Sequence, residues 1–128
     1  MAGRLFLVED DLMFGQRARA AAARLGVAVQ TLTGEEAEAR TWHDDDVLLL
    51  QATLRPERQE ALIDRVLGLR PPPLVVAVTG HLETALRQRL RARGARLAAH
   101  SAMDRALARA LGLRADDAPG DHASDPLA

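Results

Sequence analysis

The chain contains no cysteine, which excludes a disulfide framework and any thiolate acting as metal ligand or nucleophile. It also lacks lysine, tyrosine and asparagine, and all 17 of its basic residues are arginine. Ala, Leu and Arg are all abundant, so genomic base bias accounts for the pattern, but every side-chain amine is still removed from the available chemistry. One Trp and two Phe are the only aromatic residues, leaving little for nucleic-acid bases to stack on. No apolar run approaches the roughly 18–20 residues that cross a bilayer. The four-residue apolar run near the N-terminus, preceded by a single Arg, is too short for a secretory signal. A soluble cytoplasmic protein with no membrane association is the expectation.

What is present points to one folded domain. The chain has 128 residues, 48% of them apolar, enough to bury a core. The formal charge of −1 conceals a small asymmetry. Residues 113–128 hold four Asp against one Arg, and the rest of the chain carries a net +2. Neither value names a partner.

Short apolar runs alternate with longer amphipathic ones. Leu5–Val8, Val27–Leu32, Val47–Leu50, Leu74–Val78 and the weaker Arg96–Ala99 read as strands. Between and after them, Leu12–Leu25, Gly34–Arg40, Glu57–Leu69, Leu82–Arg93 and Ala102–Leu111 read as helices. Gly26 and Gly94 close two of these, and the "RPPP" segment stops a third because proline cannot continue a helix. Five strand–helix units of this length predict an α/β fold with a doubly wound parallel sheet over residues 1–112. Residues 113–128, rich in Asp and Pro, read as a flexible acidic tail. In such sheets function gathers beyond the carboxyl ends of the strands. The residues there are Glu9–Asp11, Gln51–Thr53, Thr79–Gly80 and His100–Ser101.

At these positions the chain resembles the receiver domain of two-component response regulators over roughly residues 4–112. "LFLVEDD" is similar to the family's first strand and acidic pair, so Glu9 and Asp10 match its Mg²⁺-binding carboxylates, with Asp11 beside them. "DVLLLQ" matches the strand that carries the phosphoacceptor Asp, and "LVVAVTG" the strand that ends in the switch Thr, here Thr79. "GARLAAHSAM" matches the segment that bears a Lys-Pro pair; Ser101 follows Thr79 at about the family's interval. The resemblance implies a (βα)5, flavodoxin-like sheet in the order 2-1-3-4-5.

The departures fall on the chemistry. The acceptor position holds Gln51. Because Pro56 lies one residue farther on than the family's spacing, Ala52 is the other candidate for that position; either removes the carboxylate. Ser101 stands for the Lys, Ala102 for the Pro and Ala98 for an aromatic switch residue. Aspartyl phosphorylation needs a carboxylate nucleophile, a divalent cation and donors to the phosphoryl oxygens. A carboxamide oxygen forms no acyl phosphate, and the missing Lys removes a charged hydrogen bond of about 1.5–3 kcal/mol. Arg96 and Arg105 are off register to replace it.

The retained acids need a countercharge, because two carboxylates about 4 Å apart repel by roughly 4 kcal/mol at an effective dielectric near 20. Mg²⁺ on Glu9 and Asp10 is one source, weakened or lost without a third carboxylate; a built-in guanidinium such as Arg55 is another. Asp11 also suits the role of cap to the first helix.

Five arginines, Arg87, Arg89, Arg91, Arg93 and Arg96, crowd the fourth helix and fifth strand. They read as a solvated basic helix or as an electrostatic docking patch, in the region where receivers meet partners or dimerise. Trp42 reads as a packing residue. His43 with Asp44–Asp46 is too compact to read as a metal site, and His81, His100 and His122 carry no assigned chemistry.

The expectation is therefore a pseudo-receiver, not an enzyme, that requires no cofactor. It would dock another signalling protein (a histidine kinase, response regulator or output protein) independently of phosphorylation, or form a homodimer through the fourth helix, fifth strand and fifth helix. Nucleic acid is not an expected partner. The chain would serve as a single-domain adaptor or as part of a longer protein. Two other readings stand beside this one: a phosphoreceiver with Asp10 or Asp11 as acceptor, and a flavodoxin-like ligand-binding protein or enzyme. The second of these lacks a Gly- or Ser/Thr-rich phosphate loop after the first strand.

Overall fold

The computed structural model describes residues 3–113. The acidic-tail expectation and His122 fall outside the described residues, apart from Leu113.

The elements run β1 (Leu5–Val8), α1 (Leu12–Arg24), β2 (Val29–Leu32), α2 (Gly34–Ala39), β3 (Val47–Gln51), α3 (Pro56–Leu67), β4 (Leu74–Thr79), α4 (Thr84–Arg93), β5 (Arg96–Ala99) and α5 (Met103–Ala110). A three-residue 3-10 turn, His100–Ala102, joins the last two. The strands form one five-stranded parallel sheet in the order β2-β1-β3-β4-β5. The expected α/β architecture and strand order are observed.

Both faces of the sheet are covered, which is why its central strands are continuous apolar runs with no polar alternation. Every residue of β1 and β3 is buried. Leu5, Leu7, Val47, Leu49, Val76 and Val78 face α1 and α5, and join Phe14, Ala18 and Leu107. Phe6, Val8, Leu48, Leu50, Val75 and Ala77 face α2, α3 and α4, and join Leu62, Ile63, Val66 and Leu90. Trp42 belongs to this second layer: its ring meets Phe6 edge-on at 5.1 Å and its Nε1 donates to the Ala37 carbonyl at 2.9 Å.

Several boundaries differ from the sequence reading, each for a local reason. Helix α3 begins at Pro56 itself, where a missing N–H costs nothing because the first helical N–H groups have no partner. Strand β2 begins at Val29 because Val27 still serves α1: its N–H bonds the Ala22 carbonyl beyond Gly26, whose φ of 70° ends the helix. Helix α4 begins at Thr84, because Glu83 folds back to accept the Gly80 N–H at 2.6 Å and closes a turn that leaves Leu82 outside.

At the amino-terminal edge, the fully buried Asp46 accepts from Arg4 Nε and Nη2, both at 3.0 Å, and from the His43 N–H at 2.8 Å. Burial alone would raise this carboxyl, but the Arg4 and His43 donors outweigh it and hold it below the usual range. A carboxyl whose folded value is depressed contributes stability that is complete above its unfolded value, about pH 4, and is lost as pH falls through the folded value. Asp46→Asn is expected to lower Tm at pH 7 and to differ much less from the unsubstituted protein at pH 3. Thermal unfolding at the two pH values checks this; an equal gap at both rejects it.

Candidate functional site

Strands β1, β3 and β4 are neighbours and parallel, so their following loops emerge side by side at one edge. Gln51 ends β3 and is 5% exposed. Its Nε2 donates to Asp10 Oδ1 at 2.9 Å and to Asp11 Oδ2 at 2.5 Å. An ionised carboxylate only accepts, so the amide must turn its NH₂ toward the two acids. Ala52 is fully buried in the second core layer, and its N–H bonds the Val78 carbonyl at 2.9 Å. Gln51, not Ala52, stands at the acidic pair.

Asp11 has a second task. Its Oδ1 accepts from the N–H groups of Met13 and Phe14 at 2.9 and 3.1 Å, capping α1. The Phe14 N–H is the main reason the Asp11 carboxyl lies below its ordinary value, against the opposing effect of burial; Gln51, Met13 and Arg17 add to the lowering. Asp10 keeps one carboxylate oxygen, Oδ2, buried without a partner.

Glu9 is not part of this cluster. It bends over α1, where Arg19 Nη1 meets its Oε1 at 2.6 Å. A Cβ on Gly15 would lie 2.4 Å from the Glu9 carboxyl group, so the bend exists because residue 15 has no side chain. The guanidinium that answers Glu9 is thus Arg19, not Arg55, which reaches only the Asp10 carbonyl at 3.4 Å. The sequence holds a signal for this contact. A glycine inside a helix costs about 1 kcal/mol relative to Ala, and Gly15 stands one turn from Arg19 on the same face.

A divalent cation of the Mg²⁺ kind takes oxygen ligands in near-octahedral array. Here Asp10 Oδ1 and Asp11 Oδ2 face amide N–H groups, Glu9 is held by Arg19, and the third strand supplies no carboxylate. As these side chains stand, Asp10 Oδ2 is the one oxygen of the two aspartates without a partner and Glu9 turns to Arg19, an arrangement that does not present an octahedral set of oxygens. One group of three His and Asp side chains among the described residues brings ligand atoms within 4.8 Å of one another, namely His43, Asp45 and Asp46 at the opposite edge. Arg4 already occupies both oxygens of its buried member.

Thr79, fully buried at the end of β4, accepts from Arg87 Nη1 at 2.7 Å. Ser101 is exposed in the 3-10 turn. The arginine run does not present a single basic face. Arg87 turns in to Thr79, and Arg89 and Arg93 reach across to Glu60 on α3 at 3.4 and 2.8 Å. Arg93 also pairs with Asp64. Arg91 and Arg96 remain exposed, without an ion pair among the described residues.

A cleft of about 640 Å³ opens beside Asp10, between α2 and the first turns of α3, with Thr33, Arg55, Gln59 and Leu62 in its walls. Its charge is mixed: Glu35, Glu36 and Glu38 face Arg55, Arg58 and Arg65, and Arg65 already pairs with Glu38 at 2.7 Å.

No family model matches the sequence, and no curated protein matches it. Solved structures do. A response regulator receiver protein from Burkholderia phymatum superposes with a TM-score of 0.68 at 21% identity, over 91% of this chain and 98% of that one. The structural neighbours are receiver domains, and this chain has their fold. A response regulator from Colwellia psychrerythraea matches with a TM-score of 0.67 at 11% identity, over 88% and 98% of the two chains. The receiver domain of a sensor histidine kinase from Pseudomonas aeruginosa matches with a TM-score of 0.65 at 18% identity, over 88% and 99%. That domain was crystallised with a magnesium ion coordinated in its active-site cleft. Among the described residues, no helix is long and apolar enough to cross a membrane.

If the amide stands in for a cation, returning the carboxylate should restore the need for one. Gln51→Asp is expected to lower Tm by several degrees in metal-free buffer at pH 7, with millimolar Mg²⁺ recovering much of the loss. The unsubstituted protein should not respond to Mg²⁺. Thermal unfolding with and without the metal checks both; an equal Mg²⁺ response in the two proteins rejects the expectation.

Proposed function

We propose that the chain is a pseudo-receiver: a signalling module of receiver fold that docks a partner without being phosphorylated and catalyses no reaction. The observation that carries this reading is the pair of hydrogen bonds from Gln51 Nε2 to Asp10 and Asp11. Phosphoryl transfer to this strand end requires an oxygen nucleophile and an offset for the incoming charge. The amide is no such nucleophile, and it engages one oxygen of each aspartate that would hold the offsetting cation. The pocket on this reading needs no cofactor. Arg87 supports the same view from α4, since its guanidinium already donates to the Thr79 hydroxyl.

The fold's association with two-component signalling makes another protein of such a system the partner class, and the cytoplasm the natural setting. Acceptance by Asp10 or Asp11 is the competing reading. Asp11 has both oxygens engaged, one by the helix cap and one by Gln51. Asp10 keeps a buried, unpartnered oxygen and is the only one of the two with an atom to spare. A ligand in the cleft beside α2 is the other reading, favoured by the volume there and weakened by walls of mixed charge, two of which, Arg65 and Glu38, already pair.

Incubation with acetyl phosphate and Mg²⁺, read by intact mass, is expected to leave the protein unchanged in mass. Gln51→Asp is expected to label poorly, with Ser101 where an amine would be needed. A phosphoryl adduct on the unsubstituted protein that disappears in Asp10→Asn would transfer the function to Asp10.

A further inference from the structure

Two side-chain oxygens of residues that line the cleft between α2 and α3 are buried without a hydrogen-bond partner: Gln59 Oε1 and Asp10 Oδ2. Gln59 belongs to the first turn of α3 and is only 3% exposed. Folded proteins leave few buried polar atoms unpaired. Both of these atoms are acceptors, so the group that suits each is a donor. A half-turn of the Gln59 amide exchanges its oxygen with its NH₂ group and needs no movement of the helix.

The charges of this cleft are sorted by wall. Helix α2 contributes Glu35, and the start of α3 contributes Arg55 and Arg58; none of the three makes an ion pair among the described residues. The same two helices are joined by Arg65 and Glu38 at 2.7 Å, so opposite charges do meet across the cleft where side chains reach. No side chain caps α3, which leaves the N–H groups of Glu57 and Arg58 as partners for an anion at the positive end of the helix dipole. Exposed Glu57 of that turn is not in the lining. Leu32 and Leu62 supply apolar surface.

We propose that the cleft binds a small zwitterion with apolar side chains, of the size of a dipeptide. Its carboxylate lies against Arg55, Arg58 and the first turn of α3. Its ammonium faces Glu35 and donates to the two orphan acceptors, and its side chains rest on Leu32 and Leu62. Walls of opposite charge disfavour an ion of either sign and suit a molecule that carries both. The volume of about 640 Å³ falls within the roughly 300–1,000 Å³ of small-molecule pockets. The inference stands beside the docking reading and does not rest on it, since the cleft lies between α2 and α3 and its ligand needs no phosphoryl chemistry.

Titration of the full ¹⁵N-labelled chain with leucyl-leucine up to roughly 10 mM, read by two-dimensional NMR, tests the proposal. Saturable shifts are expected at Glu35, Arg58, Gln59 and Leu62. N-acetyl-leucyl-leucine lacks the ammonium and leucyl-leucinamide lacks the carboxylate. Each is expected to bind about tenfold more weakly or worse, the effect of losing one charged hydrogen bond. Arg58→Ala, at an exposed position, should weaken leucyl-leucine by a similar factor and leave leucyl-leucinamide as it was; Gln59→Leu should weaken both. Absence of saturable shifts overturns the proposal, as do shifts confined to other parts of the chain. Equal binding of either blocked derivative also overturns it, as does an Arg58→Ala variant that binds leucyl-leucine unchanged. No phosphoryl donor enters the titration, so its outcome is separate from that of the acetyl phosphate experiment.

Discussion

Two carboxylates on consecutive residues, Asp10 and Asp11, share the two N–H groups of one amide, and the arrangement of the whole carboxyl-terminal edge depends on that sharing. Without a donor between them the acids would repel, and Asp11 could not sit still enough to cap α1. With the donor supplied by the end of β3, the first loop is fastened to the centre of the sheet, and the helix that follows starts from a fixed point. The donor is the chain's own neutral amide, so both acids keep their charge.

The same preference recurs around the molecule. Glu9 is answered by Arg19, Asp46 by Arg4, Glu60 by Arg89 and Arg93, and Glu38 by Arg65. The exposed pairs among these contribute little stability individually, but all of them decide which acids remain available. In a chain whose cations are all guanidinium, planar forks meet carboxylates two atoms at a time, as Arg4 meets Asp46 and Arg24 meets Asp104 at 2.6 and 2.7 Å. Acids so engaged are poor ligands for a metal.

The architecture was largely legible from residue order, because apolar runs such as Leu5–Val8 and Val47–Leu50 admit little besides strands buried on both faces. The place of Gln51 was legible too, since the apolar run Val47–Leu50 ends on it and the amide closes β3 beside the acids. The sequence did not disclose which partner each charge would choose. Arg55 is near the acids in the fold but serves a carbonyl, while Arg19 lies ten residues from Glu9 and closes the contact only because Gly15 lets the side chain bend. The arginine run read as a solvated basic helix or a docking patch because spacing along a helix says nothing about the acids on its neighbour; Glu60 and Asp64 of α3 divide it. Leu82 looked helical because an apolar residue before a helix resembles one within it, until Glu83 takes the turn for itself.

Helix α4 is fastened at both ends. Glu83 and Arg87 bind its first turn to Gly80, Thr53 and Thr79, and Arg93 secures its last turn to Glu60 and Asp64. A tilt of α4 would have to break the contacts at one of these ends first, so the helix keeps its place against β4 and α3 only while both sets hold.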